Sequence, residues 1–167
     1  MRANPAEYEF AVPDSMRGVL SLLARDPGEW LPIAGGTDLM VQYSAGSLHA
    51  RKLVSIWNLP ELRRIEVSAE EVQIGASCTY TDLRAHEVVN RDFTLLASAA
   101  SWTGGIANQN RGTIGGNIVM RPLRQIPSLR CLFTGPNCWW FPCAENAECP
   151  TGLFISIIGR RSWNRMN

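Results

Sequence analysis

Apolar and polar residues alternate and regroup along the chain in a pattern of short strands joined by short helices. Tyr8, Phe10 and Val12 alternate with Glu7, Glu9 and Ala11, the two-residue period of a strand, and Pro13-Asp14 stops it. From Ser15, a residue suited to capping a helix, Met16, Val19, Leu20 and Leu23 recur at helical spacing and predict one apolar face. Asp26-Pro27-Gly28 ends that helix, and Trp30 to Ala34 reads as a second strand. A glycine pair follows. Leu39, Met40 and Tyr43 then mark a short helix closed by Ser44-Ala45-Gly46, and Leu53 to Trp57 is a third, buried strand. This alternation makes a first lobe, residues 1–59, with Pro60 at its boundary.

A second lobe, residues 60–119, opens with a hairpin: Ile65 and Val67 alternate, Ser68-Ala69-Glu70 turns, and Val72 and Ile74 alternate again. Thr79 and Asp82 have the spacing of a capping box, which starts a helix with Leu83, His86 and Val89 on its inner face. His86 is accordingly read as structural. Phe93 to Trp102 is a further helix, rich in small residues, ended by Thr103-Gly104-Gly105. The expected class is α+β (mixed α/β) in two lobes.

Composition narrows the function. An apolar content of 46% with 19% charged residues fits a folded domain, and a net charge of +1 with interspersed signs lacks the basic face that captures nucleic acid. No apolar run approaches the roughly 20 residues of a membrane helix, and the first residues lack a signal-peptide core, so a cytoplasmic location is expected. Cys78 stands apart from Cys131, Cys138, Cys143 and Cys149, and without a Cys-x-x-Cys pair neither zinc nor a disulfide framework is favoured. His49 and His86 lie far from any Ser or Cys motif, and the carboxylates lack metal-ligand spacing. No catalytic residue and no metal ligand is therefore assigned, and any chemistry falls to a bound cofactor.

The stretch Pro32 to Val41 shows where such a cofactor sits. Gly35 and Gly36 let the backbone approach a ligand closely between a strand and a helix, and Thr37 or Asp38 can cap the helix, whose first N–H groups suit an anion. By itself a glycine pair there is more often only a tight turn. A second glycine run, Asn110 to Ile118, follows about eighty positions later, so two loops can close on one long ligand such as a dinucleotide. Neither the dinucleotide fingerprint Gly-x-Gly-x-x-Gly nor a P-loop is present.

Ala-Gly-Gly-Thr-Asp-Leu, followed by Gln-Asn-Arg-Gly-Thr-Ile-Gly-Gly-Asn-Ile, resembles the FAD-binding medium subunit of molybdenum hydroxylases of the carbon monoxide, xanthine and nicotinate dehydrogenase types. The resemblance spans roughly residues 6 to 119 and implies a two-lobed FAD-binding domain of the PCMH type, here incomplete at its C-terminus. It implies a first diphosphate loop of Ala34, Gly35, Gly36, Thr37, Asp38 and Leu39, and a second of Thr113, Ile114, Gly115, Gly116 and Asn117. It further implies electron relay from iron–sulfur clusters on a small subunit, fed by a molybdopterin large subunit, through FAD to an acceptor. The competing readings are a truncated fragment with little flavin binding and a stand-alone PCMH-class oxidase.

Residues 120–167 depart from that pattern. They hold half the prolines and half the tryptophans, lack Lys and Asp, and sustain neither helical nor strand periodicity; only Leu153 to Ile158 reads as a strand, with no evident partner. The expectation is a frameshifted tail. Joining the third base of each codon to the first two of the next from Met120 onward permits Ala-Ser-Ala-Ala-Ala-Asp-Ser-Leu-Pro-Ala-Leu-Leu-Val-Tyr-Gly-Ala-Glu-Leu, which restores a family-like segment and an apolar strand. Sequencing the gene is expected to show codons that spell this string in the alternate frame beyond Val119. Nucleotides that cannot encode it would make the tail genuine.

Overall fold

The computed structural model describes residues 4–68 and 72–119, together with the backbone of 140–141 and 154–157. Strand β1 (Glu9–Ala11), helix α1 (Met16–Arg25), strand β2 (Trp30–Ile33), helix α2 (Leu39–Ser44) and strand β3 (Lys52–Ser55) build the first lobe. Its three-stranded sheet has the order β1-β3-β2 with both pairings parallel. The central strand β3 is consequently buried on both faces, with Leu53 turned to one and Val54 to the other.

The two faces have separate cores. On one, Val19 of α1 packs with Trp30, Val54 and Ile56; on the other, Leu53 meets Ile33 and Leu48 with Tyr8 and Tyr43 beside them. Helix α1 begins as its sequence requires: the Ser15 hydroxyl accepts from the Gly18 N–H at 3.3 Å, and Met16, Leu22 and Leu23 turn toward the core around Val19. Strand β1 departs from the simple alternation. It lies at the sheet edge, so Phe10 and Val12 remain 56% and 57% exposed while Tyr8 and Ala11 turn inward.

A 3₁₀ turn at Pro60–Arg63 leads to the second lobe, and Leu62 still packs in the first-lobe core. Strands β4 (Ile65–Val67) and β5 (Val72–Gly75) pair antiparallel with Ile65 opposite Ile74; the turn residues Ala69 and Glu70 lie outside the described residues. Strands β6 (Trp140–Phe141) and β7 (Phe154–Ile157) complete a four-stranded sheet of order β4-β5-β7-β6. The strand at Phe154–Ile157 thus has partners in β5 and β6, contrary to expectation, because β5 offers a free edge once β4 has taken the other.

The helices of this lobe are α3 (Tyr80–Ala85), α4 (Glu87–Asp92), α5 (Thr94–Ser101), α6 (Ile106–Gln109) and α7 (Ile114–Val119). The predicted capping box is present: Thr79 accepts from the Asp82 N–H at 3.1 Å and Asp82 accepts from the Thr79 N–H at 2.9 Å. The single helix expected to carry Leu83, His86 and Val89 is instead broken at His86, whose backbone is extended. The Asn90 side chain donates to the Arg84 carbonyl, which the break frees, and also to the His86 carbonyl, which already accepts from the Asn90 N–H. Leu83 and Val89 are nevertheless both fully buried, with Leu96, Ala97 and Ala100 of α5.

Burial raises the pKa of Asp82, but the hydrogen bonds from Thr79 and the nearby Arg63 outweigh it and hold the carboxyl below its ordinary value of 3.8. The folded-state pKa is lowered, so this contribution is present above the ordinary value and is lost as pH falls through the folded one. Asp82→Ala is expected to cost about 1 kcal/mol near neutral pH. In urea unfolding at stepped pH, the gap between parent and variant should narrow progressively below pH 3.8.

Candidate functional site

Strand β2 delivers Ala34 and Gly35 to its carboxyl end, and Gly36 turns the chain with a φ of +78°. That left-handed conformation, rather than lack of room, is what requires glycine, since an added Cβ would meet only side-chain atoms, the nearest at 3.4 Å. Gly35 is constrained differently. A Cβ there would lie 1.6 Å from the Arg111 carbonyl oxygen, so the second glycine segment rests directly on the first. Arg111 also reaches back with its side chain: Nε donates to the Gly35 carbonyl at 3.3 Å, and the guanidinium lies 4.3 Å from the centre of the Trp57 ring.

No side chain caps α2. Asp38 occupies the cap position in a helical conformation without a capping bond, and Thr37 Oγ1 donates to Asp38 Oδ2 at 3.4 Å instead. Among the described residues, the backbone N–H groups of Gly36, Thr37 and Asp38 donate to no acceptor in the chain. They are available to a ligand.

The second glycine run is not the open loop expected. Ile114–Val119 is helix α7, started by Thr113, whose hydroxyl accepts from the Gly116 N–H at 3.2 Å. Gly115 lies against the second lobe, its N–H donating to the Ala76 carbonyl at 2.9 Å, where a Cβ would come within 2.7 Å of Ala76. Ile114 is fully buried in the second-lobe core, so its side chain does not reach the ligand side.

A cleft of about 180 Å³ separates the two segments. Ala34, Gly35, Gly36, Thr37, Asp38 and Leu39 line it from the first lobe, and Thr113, Gly115, Gly116 and Asn117 line it from the second. Of the residues singled out in the sequence, Ile114 alone is absent from the wall. Tyr80, Ala76, Ile56 and Gly112 also line it and were not foreseen; Tyr80 lies under the cap of α3, and only the pairing of Thr79 with Thr113 carries it to the cleft. Among the described residues Asp38 is the only charged side chain in the lining, so an anion meets backbone N–H groups there rather than lysine or arginine. Nearby, burial pushes the Cys78 thiol up to about 11, so it stays protonated at neutral pH and is a poor nucleophile.

Two lobes that border one cleft lined by two glycine segments are an arrangement able to hold an extended ligand. The family described as FAD binding domain in molybdopterin dehydrogenase matches residues 6–128, and the chain belongs to it. The carbon monoxide dehydrogenase medium chain of Hydrogenophaga pseudoflava is 32% identical over 114 residues, 68% of this chain and 40% of that protein. The xanthine dehydrogenase FAD-binding subunit of Escherichia coli O157:H7 is 35% identical over 114 residues, covering 68% and 38%. The structure of the carbon monoxide dehydrogenase from H. pseudoflava superposes with a TM-score of 0.64 at 32% identity, over 67% of this chain and 39% of that one. Reconstituted CO dehydrogenase from Oligotropha carboxidovorans shares the fold, with a TM-score of 0.76 at 22% identity over 96% and 61%. The chain spans about two fifths of the length of these sequence relatives.

The residues present fit FAD. The positive φ of Gly36 and the undonated N–H groups of residues 36–38 form an anion cradle, and the bare Cα of Gly35 lets the Arg111 carbonyl close against it. Gly36→Ala should cost about 1–2 kcal/mol from backbone strain alone. Gly35→Ala should cost at least about 1–3 kcal/mol by overpacking. Urea unfolding checks both, and adding Arg111→Ala should not relieve Gly35→Ala, because the obstructing atom is backbone.

Proposed function

We propose that this chain is the flavin-holding part of an FAD-dependent oxidoreductase subunit of the molybdenum-hydroxylase type. One observation carries the reading: two glycine segments about eighty positions apart line one cleft. The N–H groups of Gly36, Thr37 and Asp38 would hold the diphosphate from one side, and the start of α7 at Thr113, Gly115, Gly116 and Asn117 would face it from the other. When bound, FAD supplies the redox chemistry, accepting and releasing electrons. The chain's own part is to bind and orient the cofactor, with the Cys78 thiol and the Tyr80 phenol both held protonated by burial.

Assembly with an iron–sulfur small subunit and a molybdopterin large subunit, in the cytoplasm, belongs to the same proposal. Electrons would reach the flavin from the iron–sulfur clusters and leave to an acceptor. The relatives' names support the dehydrogenase class, and among the described residues no helix is long and apolar enough to cross a membrane.

The cleft bounded by the described residues is smaller than the ~300 Å³ at which pockets for drug-sized ligands begin. These residues would enclose the diphosphate, with the rest of the dinucleotide extending beyond them. Titration with FAD, followed by quenching of flavin fluorescence, is expected to show saturable binding weaker than that of a full-length relative. Gly36→Val and Gly116→Val should each weaken it further, by about tenfold, which is 1.4 kcal/mol. Tight stoichiometric binding by the parent would refute the weak-affinity expectation, and unchanged binding by both variants would refute the cradle.

A further inference from the structure

We propose that the Tyr80 hydroxyl is a hydrogen-bond donor to the phosphate oxygens of the dinucleotide held in the cleft. This inference rests on the flavin-binding reading above and assigns a ligand contact to a side chain outside both glycine segments. Tyr80 is 4% exposed, yet it lines the cleft that Gly36 and Gly116 border.

The ring is fixed from three directions. Its backbone opens α3 directly after the Thr79–Asp82 capping box, and its N–H donates to the Gly112 carbonyl at 3.2 Å. Thr79 pairs with Thr113 across the cleft's edge, tying Tyr80 to the start of α7. Gly112 makes room for the ring: a Cβ there would lie 2.7 Å from Tyr80 Cε2. A side chain so confined presents its oxygen in one place.

The proton on that oxygen has work left to do. Asn117, one turn into α7, lines the same cleft and acts on the phenol in the sense that favours its ionised form. An anion held in the cleft would accept a hydrogen bond from the phenol's own proton. Burial first, with Asp38 adding to it and Asn117 opposing, pushes the phenol up to about 12, so it is a neutral donor throughout the physiological range. With Asp38 the only charged side chain among the described lining residues, hydroxyl and amide donors are what those side chains offer an anion. The diphosphate is the anionic part of the dinucleotide, and Tyr80 lines the cleft together with both glycine segments.

The test uses the full 167-residue chain and Tyr80→Phe, which removes one oxygen and keeps the ring. FAD, ADP and riboflavin are titrated calorimetrically against parent and variant, and both chains are melted without ligand. Expected are losses of about tenfold for FAD and ADP, no change for riboflavin, and an unchanged melting temperature. Equal FAD and ADP affinities in parent and variant overturn the proposal while leaving the flavin reading intact. Equal losses for all three ligands, or a variant that no longer melts cooperatively, show a packing role and overturn it too. A parent that binds none of the three overturns the flavin reading itself, and this inference with it.

Discussion

The contact on which this molecule depends is the crossing of two backbones at Gly35 and Arg111. The Arg111 carbonyl occupies the place where any other residue at 35 would carry its Cβ, 1.6 Å from that ideal position. The same arginine donates to the Gly35 carbonyl and spreads its guanidinium over Trp57, which follows β3. One residue of the second lobe thereby clamps the end of β2 by both backbone and side chain. Further bonds between the lobes reinforce it: the buried Ser77 hydroxyl donates to the Ile56 carbonyl at 3.3 Å, and the Ser77 N–H to the Leu62 carbonyl at 2.9 Å.

That crossing explains the character of the cleft. Where the two backbones cross, the lining is glycine and short polar groups, and Leu31, Leu39, Ile56 and Tyr80 make the rest of the described wall largely apolar. Binding then relies on amide dipoles fixed by the fold, which need no reorganisation when a ligand enters. Cations stand close by without lining the cleft. Arg63 and Arg111 both lie over Trp57, and Arg63 also pairs with Asp82 at 3.4 Å. The shape of the groove therefore selects a ligand more than net attraction does.

Local rules written in the sequence determined much of this fold. Ser15 and Thr79 start their helices because their hydroxyls reach N–H groups three residues on, and the spacing of Met16, Val19 and Leu23 turns one side of α1 to the sheet. The glycine pairs, the family and its cofactor were likewise legible, because close backbone approach excludes most other residues at those positions. Tertiary structure decided what no local pattern encodes. Phe10 is exposed because β1 lies at the sheet edge, the helix through His86 breaks where Asn90 can take up the freed Arg84 carbonyl, and Ile114 faces the core although its neighbours face the cleft. Tyr80 joins the site only because Thr79 pairs with Thr113, 34 positions away. Helical and strand periods report which neighbours a residue has within a turn or a strand; they carry no information on which distant segment packs against it.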